Sequence, residues 1–305
     1  MRAAHEMQGT APAKKVRVLE ALHLAEGYLT KHGIESARLS AEHLLARRMG
    51  CSRLDLYLRF DRELGEEVLG SYRDDLKRRA THYPLQYLLG EIEFLSLAFR
   101  MREGVFIPRP ETELLVEWIE EILGARYEIA FVEFGVGSGV ISGSLGARHP
   151  GWQGCAIDRS AEAVSLACEN FRALGVAERI TVFVAEDLRA IGAASAFDLL
   201  AANPPYISTG EIASLDEEVS RFEARAAIDG GSRGVDFYPM LAREALRLLK
   251  PGGLVAFEIG HGQGSAVQEM CAGAGLERVS MRKDYNGLER MVTAFAPEEG
   301  HARNG

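Results

Sequence analysis

The segment Ile129-Ala-Phe-Val-Glu-Phe-Gly-Val-Gly-Ser-Gly139 joins a short apolar run to three closely spaced glycines. Its first six residues, apolar but for Glu133, read as a buried strand, and a helix is predicted to open after Gly139. In an open α/β sheet this is where backbone passes close to a ligand, which glycine permits because it carries no Cβ. The spacing is Gly135-x-Gly137-x-Gly139, with Val136 and Ser138 between, not the Gly-x-Gly-x-x-Gly of dinucleotide folds. Glu133, at the strand's end, suits a cationic ligand better than a pyrophosphate.

Further strands are predicted at 154–158, 180–185, 197–202, 253–259, 276–281 and 290–295, where β-branched or aromatic runs recur. Helical periodicity fills the intervals, as at 161–174 and 238–249. Strands alternating with helices imply an α/β fold, a mostly parallel sheet covered on both faces. Lys250-Pro251-Gly252-Gly253 reads as a helix stop followed by a turn. Upstream, residues 16–83 are helical in pattern: Leu19, Leu22, Ala25 and Leu29 recur at three- and four-residue spacing, and Leu39, His43, Leu44 and Leu54/Leu56/Leu58 continue it. The expected organisation is a tail at 1–15, a helical domain at 16–83, a linker at 84–105, an α/β domain at 106–296 and a tail at 297–305.

A chain of 305 residues, 47% hydrophobic, can bury two cores. Thirty-five basic against forty-four acidic residues leave a net charge of −9, which argues against a partner held by phosphate neutralisation, so no direct nucleic-acid partner is expected. Four cysteines lie far apart without ligand spacing, so a reducing cytoplasm fits and no metal site is expected. The N-terminal residues lack the apolar core of a secretory signal, and no apolar run approaches the ~20 residues of a membrane span.

Asp158 ends the second α/β strand, where a carboxylate can accept both hydroxyls of a ribose. Asp187 is expected to end the third, where it could receive an exocyclic adenine amine. With the glycine loop they point to an adenosyl group, and S-adenosylmethionine is the economical candidate. Asn203-Pro204-Pro205-Tyr206 follows the fourth strand at the carboxyl edge, where such folds bind ligands. Two prolines remove two backbone donors and leave carbonyls without local partners. A planar NH₂ group needs two acceptors: the Asn203 side-chain oxygen and the Pro204 carbonyl provide them, and Tyr206 adds an aromatic wall. An amide nitrogen is a poor nucleophile until its protons are held so that it faces an electrophile, and a sulfonium methyl is such an electrophile.

With these parts the chain resembles the peptide chain release factor glutamine methyltransferases, the HemK/PrmC family, over about residues 16–296. Pro84-Leu85-Gln86-Tyr87 with Gly90 and Phe94, then Ile107-Pro108-Arg109-Pro110-Glu111-Thr112-Glu113, is similar to the family's interdomain signature, which generic methyltransferases lack. The resemblance implies a Rossmann-like class I methyltransferase sheet preceded by a small helical substrate-recognition domain. It implies that Gly135, Gly137 and Gly139 line the methionine and ribose portions of the cofactor, that Asp158 binds the ribose, and that Asp187 with Leu188 borders the adenine. Asn203 through Tyr206 would hold the glutamine of the Gly-Gly-Gln loop in bacterial class I release factors. Two departures stand out: the family commonly has Asp at Glu133 and Glu-Pro at Glu223-Ala224. Without the proline, the insertion at 207–234, expected to cover the substrate site, is expected to be looser.

Two other chemistries would use the same tetrad. One is glutamine methylation of a ribosomal protein; the other is adenine-N6 methylation of nucleic acid, against which the acidic charge weighs. His261 reads as a solvated loop histidine, His43 as core or interface, and Lys77-Arg78-Arg79 as a wet helix face. Arg109 and Glu111 could equally form an ion pair or reach a ligand.

Overall fold

The computed structural model describes residues 16–298, so the expected tail at 1–15 and most of that at 297–305 lie outside the described residues. The chain divides into two compact units, at Leu89 and Gly90.

The first unit holds α1 (Val18–Lys31), α2 (Ala37–Met49), α3 (Arg53–Leu58), α4 (Glu66–Arg79) and α5 (Leu85–Leu89). Val18, Ala21, Leu22, Ala25 and Leu29 make the buried stripe of α1, so the helical period holds but its face is rotated slightly: Leu19 is exposed. Of the Leu54/Leu56/Leu58 set only Leu56 is buried. Ser52 and Asp55 close a reciprocal capping box that starts the short α3. Inside the unit, the buried Glu42 carboxylate accepts from Arg38 at 2.6 Å, from Arg53 at 2.8 Å and from the Tyr57 hydroxyl.

The second unit opens with a hairpin, β1 (Glu91–Phe94) and β2 (Leu97–Arg100), then α6 (Pro110–Leu123), β3 (Ile129–Phe134), α7 (Val140–Arg148), β4 (Trp152–Asp158), α8 (Ala161–Ala173), β5 (Ile180–Val184) and β6 (Phe197–Ala202). It continues through α9 (Glu217–Phe222), α10 (Arg225–Ile228), α11 (Tyr238–Leu248), β7 (Leu249–Glu258), α12 (Gly264–Ala274), β8 (Glu277–Lys283) and β9 (Glu289–Phe295). Residues 84–105, read from sequence as a linker, are structured on both sides of the division. Leu88 is buried in the helical core, while Phe94 and Phe99 meet edge to face at 6.1 Å and join the α/β core with Phe131 and Trp152. Burying each such ring stabilises by roughly 2–3 kcal/mol.

The seven-stranded sheet has the order β5-β4-β3-β6-β7-β9-β8, parallel through β7 and antiparallel at β9. One core lies on the face with α6, α7 and α8, the other on the face with α11 and α12, as a sheet covered on both sides requires. Lys250-Pro251-Gly252-Gly253 departs from the expected helix stop. Leu249 already pairs with Phe197, the next pair is Leu199 with Leu254, and the four residues between bulge within β7, with Gly252 at φ +71°.

Register positions the site. Phe134 pairs with Ile157 on one side and Ala202 on the other, and Ala202 with Phe257. The next residue on each strand therefore falls at one level: Asp158, Gly135, Asn203 and Glu258 stand in a row at the carboxyl edge. The row spans β3 and β6, where the strand order reverses, the place such sheets bind ligands.

Candidate active site

A cavity of about 570 Å³ opens over this row, lined by Gly135 through Ser138 of the glycine loop, Asp158, Asn203 through Ile207, and residues of the 104–112 segment; Gly139, expected to line it, does not. Gly135, Gly137 and Gly139 have φ of +76°, +53° and +85°, so the loop coils through conformations that side chains disfavour. At Gly139 a Cβ would also stand 2.7 Å from the Phe171 ring. The amides of Gly135 and Val136 both donate to the Ile157 carbonyl at 2.9 Å, and that of Gly137 to the Asp158 carboxylate at 2.9 Å. Ser138 lines the cavity, and its hydroxyl is buried without a hydrogen-bond partner among the described residues.

Glu133 sits under the loop, 1% exposed. It accepts from the Ser142 amide at 3.0 Å and from the Ser142 hydroxyl, which ties the strand to the first turn of α7. Burial pushes its carboxyl up to about 8 against these bonds, and neighbouring Asp158 adds to the rise. Asp158 is raised as well, chiefly by burial; its second oxygen accepts from the Ser160 amide at 2.9 Å. Two acids thus stand at one cavity with their carboxyls raised, Asp158 in spite of the neighbouring Arg159.

The structure does not bring Asp187 and Leu188 into the cavity lining. Asp187 caps a short 3₁₀ turn beyond β5, where its carboxylate binds the Arg189 guanidinium, with Nε at 2.9 Å; that hydrogen bond holds it below its ordinary range. Leu188 is fully buried in the second core, with its carbonyl taken by Arg247. Glu186 is the acid of this turn that does line the cavity.

In the tetrad, the Asn203 Nδ2 donates to Thr112 Oγ1 at 3.1 Å, and Thr112 Oγ1 donates to Glu258 at 2.7 Å. The Tyr206 hydroxyl reaches the other Glu258 oxygen at 3.4 Å. Neither Asn203 Oδ1 nor the Pro204 carbonyl accepts a hydrogen bond among the described residues, as the proline argument expects. Gln263 fixes the tetrad's backbone: its Nε2 donates to the carbonyls of Tyr206 at 2.8 Å and Gly234 at 3.2 Å, while its Oε1 accepts from the Gly260 amide. Gly234, at φ +73°, lies so near Tyr206 that a Cβ would stand 2.3 Å from its carbonyl oxygen.

Arg109 and Glu111 do not pair with each other. Arg109 binds Glu223 at 2.5 Å and stacks on Phe106, Glu223 also accepts from the Ile107 amide, and Glu111 lies 3.7 Å from Arg290. The Arg109–Glu223 pair ties the 207–234 insertion to the 106–109 segment without the family's proline. His261 is exposed. Among the described residues no cluster of His, Cys, Asp or Glu could hold a metal, and no helix is long and apolar enough to cross a membrane.

Thr112, Glu258 and Gln263 were not singled out from sequence as parts of the site. Glu258 carried a usable signal: it ends an apolar strand at the level where Asp158 ends its own. Gln263 carried none, because its reach to three segments depends on a loop conformation.

Comparison with known proteins places these observations. Residues 20–90 match the PrmC N-terminal domain and residues 97–227 the methyltransferase small domain. The chain is 38% identical over 275 residues to the release factor glutamine methyltransferase of Geobacter sulfurreducens, covering 90% of this chain and 95% of that one. It is 40% identical over 281 residues to the enzyme of that name from Moorella thermoacetica, covering 92% and 99%. Among solved structures it is similar in fold to a methyltransferase from Pyrococcus furiosus, at 15% identity and TM-score 0.50, covering 67% of this chain and 90% of that one. The hMettl16 catalytic domain is similar at 14% identity and TM-score 0.52, covering 76% and 83%. Matched in both of its units and along nine-tenths of its length, the chain belongs to the release factor glutamine methyltransferase family.

Proposed function

We propose that the chain transfers a methyl group from S-adenosylmethionine to the side-chain amide nitrogen of the glutamine in the Gly-Gly-Gln motif of bacterial class I release factors. The observation that carries this reading is the pair of unsatisfied acceptors, Asn203 Oδ1 and the Pro204 carbonyl, at the cavity in a chain of this family.

The cavity fits the cofactor. Glu133 is a buried acid and Asp158 a half-buried one that a cationic ligand would relieve, and the Ser138 hydroxyl is a buried polar atom awaiting a partner. Glu133, Gly135, Val136, Gly137, Ser138 and Asp158 would hold it, Gly139 turning the loop into α7 behind them, with Asn203 at its reactive end. Asp158 would take the ribose hydroxyls, and the turn with Asp187 and Leu188 would border the adenine, Glu186 being its cavity-facing member. When bound, S-adenosylmethionine supplies a sulfonium-activated methyl electrophile.

This chain's residues orient the nucleophile. Asn203 Oδ1 and the Pro204 carbonyl each accept one N–H of the glutamine amide, which turns its nitrogen toward the donor; Pro205 holds the turn and the Tyr206 ring walls one side. Orientation lowers the barrier, and no strong general base is required. The helical unit is assigned the grip on the release factor, and the four unpaired cysteines accord with a bacterial cytoplasm.

Incubating the protein with a release factor and S-adenosylmethionine, then mapping the product by mass spectrometry, tests the reading. One methyl, 14 Da, is expected on the Gly-Gly-Gln glutamine; label appearing in nucleic acid or in a ribosomal protein instead would replace it.

A further inference from the structure

The carboxamide of Asn203 can serve as an acceptor only if its oxygen, not its NH₂, faces the cavity. The two orientations differ by a half-turn of nearly identical shape, so something must choose between them. The chain Asn203 Nδ2 to Thr112 Oγ1 to Glu258 Oε2, at 3.1 and 2.7 Å, makes that choice. A hydroxyl has one proton and an ionised carboxylate has none, so the Thr112 proton must lie toward Glu258. Thr112 Oγ1 can then only accept from Asn203, and only the NH₂ can donate to it. Oδ1 is left facing away from Thr112, unpaired.

We infer that Thr112 and Glu258 are positioning residues which set the orientation of the Asn203 carboxamide through this directional chain. The inference rests on the reading of Asn203 as the acceptor for the substrate amide. Both residues are held firmly: Thr112 is buried near the start of α6, and Tyr238 donates to the Glu258 carbonyl at 2.9 Å.

The direction of the chain depends on one proton. Burial pushes the Glu258 carboxyl up to about 7, against the Thr112 hydrogen bond; Glu111 of α6 raises it further, while the Tyr206 hydroxyl and Arg290 of β9 act in the opposite sense. Tyr238 of α11 is a further titratable group that interacts with it. Once protonated, Glu258 can donate to Thr112 Oγ1. That frees the Thr112 proton to turn to Asn203, which favours the flipped amide with its NH₂ toward the cavity. A donor then meets a donor, and the glutamine is not held.

The test has two arms. In the full chain without cofactor, the Asn203 side-chain ¹⁵N–¹H pair, assigned by its loss in Asn203→Ala, is followed from pH 8.5 to 5.5 (roughly the span around an acid titrating near neutrality). A shift with a midpoint near 7 is expected in the wild type and in Thr112→Ser, and no shift in Thr112→Val or Glu258→Gln. In the second arm, Thr112→Val lowers kcat on the release factor by roughly 10- to 100-fold with cofactor affinity little changed, and Thr112→Ser restores it. Wild-type kcat falls below about pH 7, a limb absent in Glu258→Gln. A persistent amide shift in Glu258→Gln, or full turnover in Thr112→Val, overturns the inference. Should Thr112→Val fail to fold, Glu258→Gln and Thr112→Ser still decide it. A wild type that leaves the release factor unmethylated would remove the proposed function, while the amide titration continues to read the relay.

Discussion

In the helical unit Glu42 is 2% exposed and meets two guanidiniums and a phenol; in the α/β unit Glu133 is 1% exposed and meets Ser142. Burial raises both carboxyls. At Glu42 the hydrogen bonds from Tyr57, Arg53 and Arg38 outweigh it and bring the group down to about 2, whereas at Glu133 burial wins and the group rises to about 8. The first acid arrives with its cations and belongs to the fold. The second is buried at a cavity wall without them, a cost the fold sustains because a ligand can offset it. Glu258 is likewise raised by burial, to about 7, although Arg290 opposes the rise.

The comparison can be broken most forcefully at Asn203. If the polar groups around the cavity serve transfer and not folding, Asn203→Ala removes turnover by about 10³-fold while the melting temperature and cofactor affinity stay close to wild type. Radiolabel transfer set beside calorimetric cofactor binding checks it, and equal loss of both would reassign the residue.

Next in size is Glu42→Gln. Breaking a mostly buried ionic cluster costs roughly 2–3 kcal/mol at neutral pH, discounted here because Arg38 and Arg53 are partly exposed. The folded pKa lies below the ordinary value of 4.5, so this stability is present above that pH and disappears as pH falls toward 2. Urea unfolding curves of variant and wild type should therefore separate at pH 7 and converge in acid (toward the titration near 2).

The same substitution at Glu133 has the opposite sign. Its raised pKa means the folded state holds a proton that the unfolded state has released between 4.5 and about 8, so wild-type stability falls as pH rises through that window. Glu133→Gln, lacking that ionisation, should be more stable than wild type above the window by roughly 1–3 kcal/mol in thermal melts without cofactor. It should bind S-adenosylmethionine about tenfold more weakly, the reversal that distinguishes a ligand-facing acid from a structural one. A destabilised Glu133→Gln would erase the distinction.

The smallest effect sharpens the picture at the insertion. Ala224 has φ −61°, its amide makes no hydrogen bond among the described residues, and Glu223 before it is extended at φ −82° and ψ 145°. Those are conditions a proline accepts, so Ala224→Pro should stabilise by about 0.4–1 kcal/mol by restricting the unfolded chain, seen as a small rise in the urea midpoint. Loss of stability there would mean that the insertion has come to depend on the alanine.

Much of the architecture was legible because it rests on local pattern. The strands at 129–134 and 197–202 have the expected limits, since apolar runs flanked by turn residues define their own ends. Asp158, Gly135 and Gly137 fall at the cavity because strand ends do, whereas Gly139 turns into α7 against the Phe171 ring. What escaped was tertiary. Lys250 through Gly253 carries the composition of a turn, yet pairing with β6 folds it into a bulge. The separate partners of Arg109 and Glu111, the burial of Leu188 and the reach of Gln263 depend on segments far apart in sequence, which neither spacing nor periodicity encodes.

Ile207 pairs with Asp229, its carbonyl accepts from the Gly230 amide at 2.8 Å, and Gln263 grips Tyr206 and Gly234 outside them. The intervening excursion thus departs from the rim and returns to it at adjoining points, like a ring on a clasp. With its ends clasped, doubling its length costs only about 0.6 kcal/mol. Residues 208–222 can therefore change in length at little cost to folding, while Glu223 through Ile228 stay bound to the site by the Arg109 pair and their place in the cavity wall.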